Sequence, residues 1–87
     1  MTLKPEYVKF MPKTLEVGVL YISKEFGSVL HLCACGCGRK SVTPIAPFWK
    51  DGWVLKEEGD KVTLSPSILN KVCKAHYWIR ANEVVWA

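Results

Sequence analysis

Three of the four cysteines in this chain, Cys33, Cys35 and Cys37, fall within five residues, and the fourth, Cys73, is followed three positions later by His76. That crowding limits what the chain can become. Cysteines two apart on an extended strand cannot easily pair with each other as disulfides, because the bridge demands a specific Cβ separation. Two disulfides and four unliganded thiols are the bland alternatives, and a shared metal explains the crowding better than either. Zinc takes four donors from thiolate and imidazole groups. Six candidates stand here: His31, Cys33, Cys35, Cys37, Cys73 and His76. At least two of them therefore need another role. The C-x-C-x-C spacing differs from the usual C-x-x-C knuckle, whereas Cys73-Lys74-Ala75-His76 has the familiar spacing.

A chain of 87 residues is one domain near the lower limit of what an apolar core holds folded unaided, so a metal would act as a staple. The apolar fraction of 49% and charged fraction of 23% are those of a soluble globular domain. No apolar run approaches the roughly 20 residues that cross a bilayer. Lys4, Pro5 and Glu6 stand where a signal peptide would need an apolar core, so the expectation is a cytoplasmic protein with reduced thiols. The net charge is +4, but the basic residues are spread among acids from Lys4 to Arg80 with no stripe. Nucleic-acid binding by a zinc domain is thereby the third reading rather than the first.

Along the chain, residues 1–13 hold Pro5 and Pro12 and suggest an N-terminal arm or edge strand, followed by a single zinc-binding domain over residues 14–87. Val19 to Ser23 is rich in strand formers, Lys24 to Gly27 is a connection, and Val29 to Cys35 is the central strand. Period-two geometry puts His31, Cys33 and Cys35 on one face of that strand, and Gly36 and Gly38 let Cys37 turn back towards them. Trp53 to Leu55 and Lys61 to Leu64 form a hairpin around Glu57, Glu58, Gly59 and Asp60. Ser65-Pro66 resembles a helix cap with proline at the first helical position, so a short helix carries Ile68, Leu69 and Val72. Tyr77 to Ile79 and Glu83 to Trp86 close the chain as a hairpin. The fold class is mainly β, a small α+β domain of zinc-stabilised hairpins and sheet with one short helix.

Two chemistries compete for this donor set. A closed site of four protein ligands only holds the domain together, whereas a catalytic zinc keeps an open position, a water and a nearby acid or base. The surplus of donors favours the second, with Glu25 as base and His31 beside it. Composition alone would make Glu25 a solvated loop carboxylate and His31 a strand-face histidine. The aromatics Trp49, Trp53, Tyr77, Trp78 and Trp86 serve the core before they serve stacking on bases.

Together, Leu20-Tyr21-Ile22-Ser23, Glu25, His31-Leu32-Cys33-Ala34-Cys35-Gly36-Cys37-Gly38, Val42-Thr43-Pro44, Leu64-Ser65-Pro66-Ser67-Ile68, Cys73 and His76-Tyr77-Trp78-Ile79 resemble a family of small bacterial domains. Genes of that family lie beside ubiquitin-like proteins and their activating and conjugating enzymes. The likeness covers roughly residues 14–87. It implies a zinc-bound fold and a zinc-dependent peptidase that processes or removes a ubiquitin-like protein, with that protein or its conjugates as partner. By position, Cys33, Cys35, Cys37, Cys73 and His76 would form the Zn²⁺ centre, and Glu25 and His31 would be catalytic. Ala75 stands where the resemblance leads one to expect serine, which implies impaired activity if that hydroxyl takes part. The alternative is a non-enzymatic zinc module that binds a partner protein.

Overall fold

The run from Val19 to Ser23 is a strand, as its β-branched and aromatic content requires, and it supplies the most deeply buried part of the molecule. Leu20 and Ile22 have no exposed surface and Tyr21 and Ser23 almost none. The computed structural model describes residues 1–87 and consists of eight strands without a helix. Strands β1 (Lys4–Tyr7), β2 (Val19–Ser23), β3 (Ser28–Leu32) and β4 (Lys40–Pro44) form one sheet in that order. Strands β5 (Val54–Glu58), β6 (Lys61–Leu69), β7 (His76–Arg80) and β8 (Glu83–Trp86) form the other. Only β1 and β2 pair in parallel; the remaining neighbours within each sheet are antiparallel.

The inward residues of both sheets meet in one core. Leu20, Ile22, Val29 and Cys33 come from the first sheet and its last turn, and Val62, Leu64, Ile68, Tyr77, Ile79 and Val84 from the second. Isolated bridges join the sheets at both edges, Thr2 with Glu83 on one side and Ile45 with Trp53 on the other. No helix of the structure is long and apolar enough to cross a membrane.

The expected hairpins are present. Gly59 and Asp60 connect β5 to β6, with Glu58 opposite Lys61, and Ala81 and Asn82, both at positive φ, connect β7 to β8. The short helix after Ser65-Pro66 is not formed. Strand β6 continues instead to Leu69, with Ile68 opposite Tyr77 and Leu69 opposite His76. A two-turn helix is marginal in isolation, and here strand pairing together with burial of Ile68 in the shared core prevails. Pro66, which lacks an N–H, lies in a bulge where the ladder is already interrupted. Between the pairs Leu64–Ile79 and Ile68–Tyr77, three residues of β6 face Trp78 alone.

Candidate metal centre and a serine–histidine pair

The central strand stops earlier than its composition suggests, at Leu32, and the chain turns over the next seven residues before β4. The Cys33 N–H donates to the Arg39 carbonyl at 2.8 Å and the Gly36 N–H to the Cys33 carbonyl at 3.1 Å, closing the turn at its neck and inside it. Gly36 and Gly38 have φ of 87° and 79°, a region that other residues enter at a cost. They fold the Cys35–Cys37 segment back over Cys33.

The fourth cysteine arrives from the other sheet, on the six-residue loop between β6 and β7. That loop is closed by Asn70 N–H to Ala75 carbonyl at 2.9 Å and Lys74 N–H to Asn70 carbonyl at 2.7 Å. The Asn70 side chain accepts from the Val72 N–H at 3.1 Å. Cys73 Sγ then lies 3.6 Å from Cys33 Sγ and 3.5 Å from Cys35 Sγ, while Cys33 and Cys35 are 3.4 Å apart. All four sulfurs, Cys37 included, are within 4.8 Å of one another.

These separations are too long for disulfides, and all four thiols are free. Four sulfurs about 2.3 Å from a central zinc sit about 3.8 Å apart at the corners of a tetrahedron. The cysteines therefore fit a closed, all-thiolate metal centre.

Their electrostatics agree with ligand chemistry. Desolvation raises the Cys33 thiol, but hydrogen bonds from the Cys35 backbone, the Cys35 and Cys73 thiols and the Asn70 side chain outweigh it and bring it to about 7. Cys35 is pushed up to about 12, chiefly by the hydrogen bonds of its thiol with Cys37 and Cys33. The hydrogen bonds thus favour the thiolate at Cys33 and the thiol at Cys35, and a divalent cation between them would favour the thiolate at both.

The remaining predicted site residues are not with the sulfurs. Glu25 lies on the β2–β3 turn, exposed, with its carboxylate 3.9 Å from the Lys9 ammonium. That turn and the cysteine turn are at opposite ends of β3, a five-residue strand and hence about 17 Å long. His31 points into the core with no exposed surface. Its Nε2 is 2.6 Å from Tyr77 Oη, its Nδ1 has no partner, and burial lowers its pKa to about 4. It is a neutral core imidazole. The Ala34 N–H donates to the same Tyr77 hydroxyl at 3.4 Å, so the His31–Tyr77 pair braces the cysteine turn from below.

His76 is outside the sulfur group and faces solvent, where its Nε2 is 2.7 Å from Ser67 Oγ. Ser67 belongs to the β6 bulge and His76 opens β7; their neighbours Ile68 and Tyr77 point inward, so both side chains stand on the outer face of the second sheet. Sequence reasoning missed Ser67. The signal that could have found it was the Ser67–His76 separation of nine residues, which a hairpin places side by side and a helix does not. Apolar groups surround the pair: Leu69, 55% exposed, lies opposite His76, and Trp78 lies opposite the bulge with Val85 paired to it. Neither of the two surface cavities, one at Thr2–Tyr7 and the other at Phe48, includes Ser67 or His76.

A hydroxyl held 2.7 Å from an imidazole nitrogen is an arrangement for nucleophilic attack assisted by a general base. The family described as "Bacterial ubiquitination-like system serine protease (BubE)" matches the chain over residues 7–87. No curated protein and no solved structure matches it.

Proposed function

The chain belongs to the BubE family of bacterial ubiquitination-like system proteases, and from that premise we propose that it hydrolyses the peptide or isopeptide bond at the C-terminus of a ubiquitin-like protein, with Ser67 as nucleophile and His76 as base. The observation that carries the proposal is the 2.7 Å contact between Ser67 Oγ and His76 Nε2 on an open sheet face. A polypeptide tail can reach such a face in extended form, and the exposed Leu69 and Val85 offer it apolar surface, with the half-buried Trp78 paired to Val85.

With its proton on Nδ1, the His76 ring accepts the Ser67 hydroxyl at Nε2. Attack of Oγ on the scissile carbonyl transfers the hydroxyl proton to Nε2 and forms the C–O bond. The tetrahedral intermediate collapses as Nε2–H protonates the departing amine and the C–N bond breaks. A water then loses its proton to Nε2 and adds to the acyl carbon, and Ser67 Oγ leaves with the proton returned by the ring. Atoms and charges balance at each step, and the dyad ends as it began.

Zinc in this reading is structural. Cys33, Cys35, Cys37 and Cys73 would hold it as four thiolates, a complete coordination shell for this ion. The sequence alone suggests a zinc-bound water with Glu25 or a histidine moving the proton. The dyad takes both roles here, because four thiolates leave no position for water, Glu25 lies at the far end of β3 and His31 is buried. His76 is thereby the base rather than a ligand.

The test is cleavage of a bacterial ubiquitin-like protein carrying a C-terminal reporter extension. Ser67→Ala is expected to reduce cleavage at least about a thousandfold, a lower bound on the roughly millionfold loss seen when the serine of such an enzyme is removed, with one zinc per chain retained. Glu25→Ala is expected to cleave at the rate of the unmodified chain. Cleavage by Ser67→Ala at the unmodified rate would overturn the assignment.

A further inference from the structure

The bulge that presents Ser67 interrupts the β6–β7 ladder, because three residues there face a single residue of β7, and on the other side the pairing of β6 with β5 ends at Ser65. Something else has to fix the serine. The Trp53 indole crosses to the bulge, and its Nε1–H donates to the Pro66 carbonyl at 3.0 Å, with a longer contact of 3.4 Å to the Ser67 carbonyl. These two carbonyls belong to the peptide groups on either side of the Ser67 Cα. The shared donor restrains the two peptide planes that flank Ser67, and with them the direction of its Cα–Cβ bond.

Trp53 is itself anchored. Its N–H donates to the Pro44 carbonyl at 2.8 Å, and its carbonyl accepts from the Ala46 N–H at 2.8 Å. Gly52 makes that approach possible, since a Cβ there would lie 2.7 Å from the Ile45 carbonyl carbon and 2.8 Å from the Ala46 nitrogen. The Trp53 ring packs against the shared core.

We propose that Trp53 is a positioning residue for the reaction: a strut just before β5, anchored on the end of β4, whose indole N–H holds the two peptide groups of the nucleophile so that Ser67 Oγ meets His76 Nε2. The inference rests on Ser67 being the nucleophile. Misplacement of a reacting group by about 1 Å costs on the order of a hundredfold in rate without changing how substrate binds, and that sets the expected signature.

The experiment measures p-nitrophenyl acetate hydrolysis and Ser67 labelling by a fluorophosphonate in four proteins. These are the unmodified chain, Ser67→Ala, Trp53→Phe, and a chain with β-(3-benzothienyl)alanine at position 53, which keeps the ring volume and lacks the N–H. Zinc content and thermal midpoint are recorded for each. The benzothienyl chain is expected to lose about 10- to 100-fold in kcat and in labelling rate, with KM within twofold and zinc unchanged, and Ser67→Ala to lose both activities entirely. Benzothienyl kcat within twofold of the unmodified chain, with Ser67→Ala inactive, overturns the role of Trp53 and leaves the dyad standing. Loss of rate only in parallel with loss of zinc and thermal midpoint, in both position-53 variants, also overturns it. Labelling and hydrolysis that persist in Ser67→Ala overturn the dyad and the strut together.

Discussion

The imidazole of His31 is fully buried, and one of its nitrogens has no partner. Folding therefore favours its neutral form: the pKa is about 4 in the folded protein against an ordinary value of 6.5. Above pH 6.5 both states are neutral and the stability is fully present. As pH falls from 6.5 towards 4, the unfolded chain takes up a proton that the folded chain refuses, and stability is lost. The loss is about 1.4 kcal/mol per pH unit over that window, so roughly 2 to 3 kcal/mol between pH 7 and pH 4.5. His31→Phe keeps a ring against Tyr77 and removes the titration. Urea unfolding at fixed zinc is expected to show the difference between the two proteins narrowing by that amount. A difference independent of pH would mean that His31 takes up its proton equally in the folded and unfolded states. Ala75 belongs to the same inward register: it is buried in the core beside Tyr77, on the face opposite the His76 ring. The missing hydroxyl there is consequently remote from the dyad in direction, even though position 75 adjoins position 76 in sequence.

Strands β6 and β7 decide how legible the site was. Strand β2, the β5–β6 turn and the β7–β8 hairpin all followed from local composition, because β-branched runs and short polar turns act over a few residues. The four-cysteine cluster was legible from chemistry, since crowded thiols have few other uses. Ser65-Pro66 was misleading for a physical reason: proline after serine suits a helix start and a strand bulge equally, and only the partner strand distinguishes them. A helix there would set Ser67 apart from His76, whereas the strand places them side by side. The β6–β7 loop also carries Cys73, so the centre that reaches across to Cys33 and Cys35 is continuous with the hairpin that presents the dyad. Cys73→Ala is expected to lower bound zinc from one per chain to a small fraction. Structural zinc sites contribute about 10 kcal/mol or more, comparable with the entire stability of a small domain. The variant should accordingly be largely unfolded at 37 °C, as circular dichroism would report. A stable, zinc-loaded Cys73→Ala protein would show that the metal is held by another set.

At the scale of the molecule, the two sheets are joined by very different kinds of link. The core joins them through apolar contact, and Trp53 and the N-terminal residues do so by backbone bridges at the edges. Tyr7 and Lys24 of the first sheet and its turn meet Glu57 of β5, the Tyr7 hydroxyl donating to the carboxylate and the ammonium lying 2.8 Å from it. These bonds lower the Glu57 pKa, Lys24 contributing most and then Tyr7. The link is exposed and contributes little, as surface pairs do. None of these connections had a sequence signal, because each depends on how two sheets stack rather than on any local run. The cysteine cluster differs in kind: three sulfurs come from the β3–β4 turn and one from the β6–β7 loop, so neither sheet alone completes the proposed zinc centre. Separation of the sheets and release of the metal should then be a single event. In a urea titration of the zinc-loaded protein, tryptophan fluorescence, far-ultraviolet circular dichroism and zinc capture by 4-(2-pyridylazo)resorcinol are expected to give coincident transitions. Lys24→Met should move that common midpoint only slightly, by the equivalent of less than about 1 kcal/mol. Zinc released well before the fluorescence change would mean that the core holds the sheets together without the metal, and that the centre fastens only the loop bearing Cys73.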